Sequence, residues 1–127
     1  MDPFEIAQWV LRGALAAIFV GMGVLHFVPG TARGMSAMIP PALKKRVSGV
    51  ALVRFTGLCE IAGGIGLLVP GIRFVAGVAL VIFLIAVFPA NAYAAADPER
   101  FGRTAIPFWP RYLAQLALIA LVLLAIV

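Results

Sequence analysis

The sequence predicts an all-α membrane protein: four transmembrane helices in an up-down bundle, with a short interfacial segment in the first long loop. Composition is the first reason. Of 127 residues, 64% are hydrophobic and 12% charged, against about 45–50% and about 25% in soluble domains. That leaves too little polar material to cover a water-soluble globule. The second reason is length. Apolar runs of about twenty residues, enough at about 1.5 Å per residue to cross roughly 30 Å of hydrocarbon, recur at about 5–28, 49–69, 73–93 and 109–127. Breaks between them are the third: Pro29-Gly30 and Pro70-Gly71 stop two of the runs. The chain has room for one domain, 1–127.

The first run follows Asp2 and Glu5. A signal peptide would have a basic leader, a shorter apolar core and a small-residue cleavage site, so this run is expected to be a retained span. Gly13, Ala17 and Gly21 fall at intervals of four and put a smooth stripe on one face. Arg12 lies about two turns inside and His26 at the far end. After Pro29-Gly30, the stretch from Met35 to Pro41 and Leu43 is apolar for a loop, and Lys44, Lys45 and Arg46 follow it. That pairing suits a segment lying on the headgroups or folded over the bundle mouth.

The second span carries Arg54 near one end and Glu60 near its middle, then Gly63, Gly64 and Gly66, which let another backbone approach closely. Span three contains Pro89, expected to kink the helix and free a carbonyl, with Asn91 beside it as a donor. A polar loop with Asp97, Glu99, Arg100 and Arg103 leads to Phe108 and Trp109, placed for an aromatic belt. Span four starts with Pro110-Arg111, includes Gln115 and is then aliphatic.

Successive spans alternate in direction, so both long loops share one face with Arg33, Lys44, Lys45, Arg46, Arg100 and Arg103. The other face has Arg73, with Arg12 embedded nearby. The excess of positive charge puts the loops in the cytoplasm and both termini outside, with the plasma membrane of a prokaryote as the expected location. The net charge of +5 therefore fits orientation and anionic lipid headgroups. It does not read as nucleic-acid binding, because no Lys/Arg run is interleaved with aromatics. Cys59 is the lone cysteine, which excludes an internal disulfide and a C-x-x-C pair. It reads as a small buried helix residue. With one cysteine and one histidine, no metal site, haem or iron–sulfur cluster is expected.

Glu60 is the residue most in need of explanation. Insertion scales put a mid-span acid at about 2.5–3.5 kcal/mol, so it needs a partner, a proton or a purpose. By depth along each helix, His26, Arg54, Asn91, Arg111 and Gln115 gather toward one end of the bundle. Glu60 lies below them, and Arg12 arrives from the other side. Arg111 and Gln115, four apart, share a helix face; Arg54 and Glu60, six apart, do not, so a cross-helix partner for the acid is expected. Singly, each has a structural reading. Arg54 and Arg111 can snorkel, Asn91 can satisfy the carbonyl freed by Pro89, and His26 can anchor or cap a helix end. As a set, Glu60, His26, Arg54, Asn91, Arg111, Gln115 and Arg12 form either a ligand-binding or proton-handling pocket or a buried structural network. No catalytic residue is assigned.

The motifs resemble the DoxX family of small four-helix membrane proteins over almost the whole chain. They are Gly-Val-Leu-His26-Phe-Val-Pro29, Met38-Ile-Pro-Pro41 and Ser48-Gly49. Glu60-Ile-Ala-Gly-Gly64-Ile-Gly-Leu-Leu68-Val-Pro70, Arg73 and Val87-Phe-Pro89-Ala-Asn91 continue the match. Where such proteins often read Arg-Leu-Pro-x-Gln, this chain has Pro110-Arg111-Tyr-Leu113-Ala-Gln115, with the proline ahead of the arginine. The resemblance implies a membrane subunit of a redox system, such as thiosulfate:quinone oxidoreduction, while distant relatives are linked to membrane-protein assembly. The leading expectation is thus a partner-dependent subunit whose pocket binds a small amphipathic ligand such as a quinone, with no covalently held cofactor. Arg and His would hold the head group and Glu60 would exchange a proton with it. The alternatives are a small transporter or proton pathway, or a scaffold that meets lipids, membrane-protein partners or a second copy of itself through Gly-rich faces.

Overall fold

The computed structural model describes residues 2–37, 39, 41, 48–95 and 108–127, with backbone alone at 34, 90–95 and 108. Among the described residues there are five helices: α1 (Pro3–Leu25), α2 (Pro29–Ala37), α3 (Gly49–Gly66), α4 (Arg73–Ala95) and α5 (Phe108–Ile126). Local chemistry sets the starts. Asp2 caps α1 by accepting from the Glu5 backbone N–H at 2.8 Å, and Pro3 sits where a missing donor does no harm. Ser48 caps α3 by accepting from the Ala51 N–H at 3.0 Å. Each such cap contributes about 1 kcal/mol.

Three of these helices, Pro3–Leu25, Gly49–Gly66 and Trp109–Ile126, are long and apolar enough to cross a membrane, and α4 carries a shorter apolar stretch, Arg73–Pro89. Helix α4 runs on through Pro89. The first connection is more ordered than a loop. His26 ends α1, with its backbone N–H returning to the Gly23 carbonyl at 3.2 Å. Pro29 then opens α2, since its fixed φ suits a first helical turn. Helix α2 packs on α3 and buries Ala32. The basic cluster Lys44–Arg46, expected at the headgroups, lies outside the described residues, as does the loop from 96 to 107.

The four longer helices touch in a closed ring, α1 on α3, α3 on α4, α4 on α5 and α5 back on α1. Contacts between opposite ends show each neighbouring pair to be antiparallel. Gly66 meets Ala76 and Gly63 meets Leu80, so α3 and α4 run opposite ways; Gly77 at the start of α4 meets Ile126 at the end of α5. Leu15, Phe19, Leu67, Leu80, Leu84, Val122 and Ala125 form the core. The outside is apolar as well, with Phe55, Leu58, Phe74, Val75, Ile82 and Leu113 among its exposed side chains. Such a surface is out of place in water, where large contiguous apolar patches are rare.

The tightest crossing is between α1 and α3. A Cβ built on Gly57 would lie 2.7 Å from His26 Cβ and 2.8 Å from the Gly23 carbonyl oxygen; one built on Gly23 would lie 2.7 Å from the Gly57 carbonyl oxygen. Two hydrogens at these positions are what let the backbones touch. The Gly13/Ala17/Gly21 stripe does not do this. All three residues are exposed, and nothing lies within 4 Å of a Cβ at Gly13 or Gly21. The packing face of α1 is the neighbouring strip Arg12, Leu15, Ala16, Phe19 and Gly23.

Candidate functional site

The Gly23–Gly57 contact brings the end of α1 against the middle of α3, and the two buried polar residues of that crossing meet. His26 Nε2 lies 3.3 Å from Glu60 Oε2, and each side chain is only 11% exposed. The contact joins the end of α1 to α3 across the helix crossing. It supplies the cross-helix partner expected for Glu60.

The partners of the histidine's other nitrogen place a hydrogen on it. Nδ1 lies 2.9 Å from the Val53 carbonyl oxygen and 3.0 Å from Thr56 Oγ1, and Thr56 itself donates to the same carbonyl at 2.8 Å. A carbonyl only accepts, so Nδ1 carries a hydrogen and donates to Val53, an assignment made from its partners. In a neutral ring Nε2 is then a bare acceptor facing a carboxylate oxygen. Two bare acceptors repel, so one proton belongs to the pair: imidazolium against carboxylate, or neutral ring against carboxylic acid. The separation is long beside the 2.7–2.9 Å or so typical of charge-assisted hydrogen bonds. Oε2 takes no hydrogen bond from any described group. The pair thus needs one proton for its approach to be attractive, and the carboxyl keeps acceptor capacity to spare.

The other candidates fall elsewhere. Arg54 is exposed. Val53, Gly57 and Glu60 turn one face of α3 to α1, and the next residue after Val53 is rotated about 100° away from it. Arg12 is 4% exposed but bonds the Ala125 carbonyl at 2.6 Å at the far end of α5. It stands fourteen positions from His26, roughly 21 Å along the helix. Arg111 and Gln115 are half-buried on α5, where Tyr112 stacks edge-on against Phe88 and Trp109. The contacts given above for the His26–Glu60 pair come from α1 and α3. The side chain of Asn91 lies outside the described residues. Cys59 is half-buried.

Thr56 and the Val53 carbonyl are site groups that the sequence reading did not pick out. Their signal was available: positions 53, 56, 57 and 60 are spaced i, i+3, i+4, i+7 on one helix face. Gln8 was missed too. It donates to the Leu124 and Val127 carbonyls at 3.0 and 2.9 Å and ties the start of α1 to the end of α5.

A family model described as a domain of unknown function (DUF8561) matches residues 15–126, a stretch that includes both members of the pair. Comparison with curated proteins and with solved structures gives no match.

Proposed function

The chain belongs to the DUF8561 family, and we propose that it acts as an integral membrane subunit whose His26–Glu60 pair binds and exchanges a proton with a small amphipathic ligand, a quinone. Three helices long and apolar enough to cross a membrane support that placement, as do the shorter apolar stretch of α4, the apolar exterior and the closed ring of helices. The observation that carries the reading is the 3.3 Å approach of His26 Nε2 to a buried Glu60 Oε2 that takes no hydrogen bond from a described group. A quinol hydroxyl can donate to that oxygen, and a quinone carbonyl can accept the proton the pair holds. Thr56 and Val53 keep the ring oriented while this happens, the role played by a third group wherever a histidine handles protons.

The redox setting comes from the DoxX-like motifs around His26, Glu60 and Asn91. Electrons would be supplied by a partner protein, since this chain offers no ligand set for an iron–sulfur cluster or haem. The long loops would face the cytoplasm.

Titrating native quinones into the purified protein tests this. Wild type binds, and Glu60→Gln and His26→Ala each weaken binding by about tenfold or more, the loss of one hydrogen bond to a charged group. Arg54→Gln leaves the affinity unchanged. Equal affinity in wild type, Glu60→Gln and His26→Ala would overturn the proposal.

A further inference from the structure

At the other end of the ring, well away from His26, lies a second polar cluster. Glu5, Gln8, Trp9 and Arg12, at i, i+3, i+4 and i+7, share a face of α1. With Pro70, Arg73 and Val127 they line an open cavity of about 430 Å³, within the roughly 300–1,000 Å³ of small-molecule sites. Both arginines gather on one indole: the Arg12 guanidinium carbon is 5.0 Å from the Trp9 ring centroid and that of Arg73 is 4.8 Å away.

Each arginine is held by its Nε. Arg12 donates to the Ala125 carbonyl at 2.6 Å and Arg73 to the Leu67 carbonyl at 3.3 Å. The forks are therefore aimed by the ends of α5 and α3. Arg73 Nη2 is buried and has no hydrogen-bond partner among the described residues. No described carboxylate comes within 4.0 Å of either guanidinium; Glu5 lines the cavity but is exposed and pairs with neither. Two cations share one ring with no described carboxylate in ion-pair contact, an arrangement that an anion bound between them would relieve.

We infer that this cavity is a phosphate-binding site, in which Arg12 and Arg73 clamp a tetrahedral anion beside Trp9. Guanidinium forks match phosphate oxygens, and two of them supply more donors than a planar carboxylate can accept. The cavity sits where α1 begins, α3 gives way to α4 and α5 ends. That is headgroup depth if these helices cross a bilayer, and tryptophan favours such a depth. The phosphate is carried either by a phospholipid or free in solution, and the experiment separates the two.

The full chain in phosphate-free maltoside micelles, with Trp109→Phe so that Trp9 is the reporter, is titrated with inorganic phosphate and, separately, with short-chain phosphatidylglycerol. A saturable change in Trp9 emission is expected in at least one arm. Phosphatidylglycerol alone identifies a lipid headgroup, and a response to both identifies a general phosphate site. Arg73→Gln raises the half-saturation point about tenfold or more; Arg33→Gln, on α2 and exposed, leaves it unchanged. Should Arg73→Gln fail to fold, Arg73→Lys keeps the charge without the fork and still weakens binding several-fold. No saturable response in either arm overturns the inference. So does an equal response in whichever Arg73 variant folds.

Discussion

Gly57→Ala is expected to destabilise the protein by about 1–3 kcal/mol, the range for overpacking a filled contact, although alanine is the better helix former. The added methyl would lie 2.7 Å from His26 Cβ and 2.8 Å from the Gly23 carbonyl oxygen. Neither can yield like the tip of a flexible side chain, because one belongs to the backbone and the other is fixed directly to it. Helices α1 and α3 must therefore separate, and His26 moves with α1. Gly23→Ala meets the Gly57 carbonyl at 2.7 Å and should behave alike. Gly13→Ala and Gly21→Ala, facing open space, should stay within about 0.5 kcal/mol of wild type. Reversible unfolding in mixed micelles makes the comparison. If Gly57→Ala proved as stable as Gly21→Ala, α1 and α3 would not cross as described.

That contrast also marks what a sequence can and cannot disclose. The runs that became helices were legible, because span length and apolar composition are properties of each segment alone. Depth was legible for the same reason, so His26 could be placed toward one end of the bundle with Glu60 below it. Rotation about each helix axis was not. Depth gave Arg54 to the same group as His26, yet Val53 and Gly57 take the α1-facing side and leave Arg54 exposed. The choice between the Gly13/Ala17/Gly21 stripe and the Gly23 face is likewise one of rotation, and only contact with α3 decides it. Arg12 and Arg73 were assigned to the same membrane face, but their meeting at Trp9 requires α1 to sit beside the α3–α4 turn. Within one helix, by contrast, the i, i+3, i+4, i+7 set of Val53, Thr56, Gly57 and Glu60 needs no knowledge of neighbours.

His26→Leu is expected to cost about 3–5 kcal/mol, the range for removing one partner of a buried pair. The loss exceeds that of the contact itself, because Glu60 keeps its desolvated carboxyl with nothing opposite Oε2, and the Val53 carbonyl is left with the Thr56 hydroxyl alone as a side-chain donor. Replacing both partners removes the stranded group: His26→Leu/Glu60→Met should be more stable than His26→Leu alone, since two apolar side chains of similar bulk leave no polar group behind. The same unfolding measurement tests this. Additive losses would mean that Nε2 and Oε2 do not share a proton. The double variant also separates stability from function. It should fold yet have no proton to exchange, so its quinone affinity should fall even where its stability recovers. A merely structural pair would show the opposite: once stability returned, quinone binding would return with it.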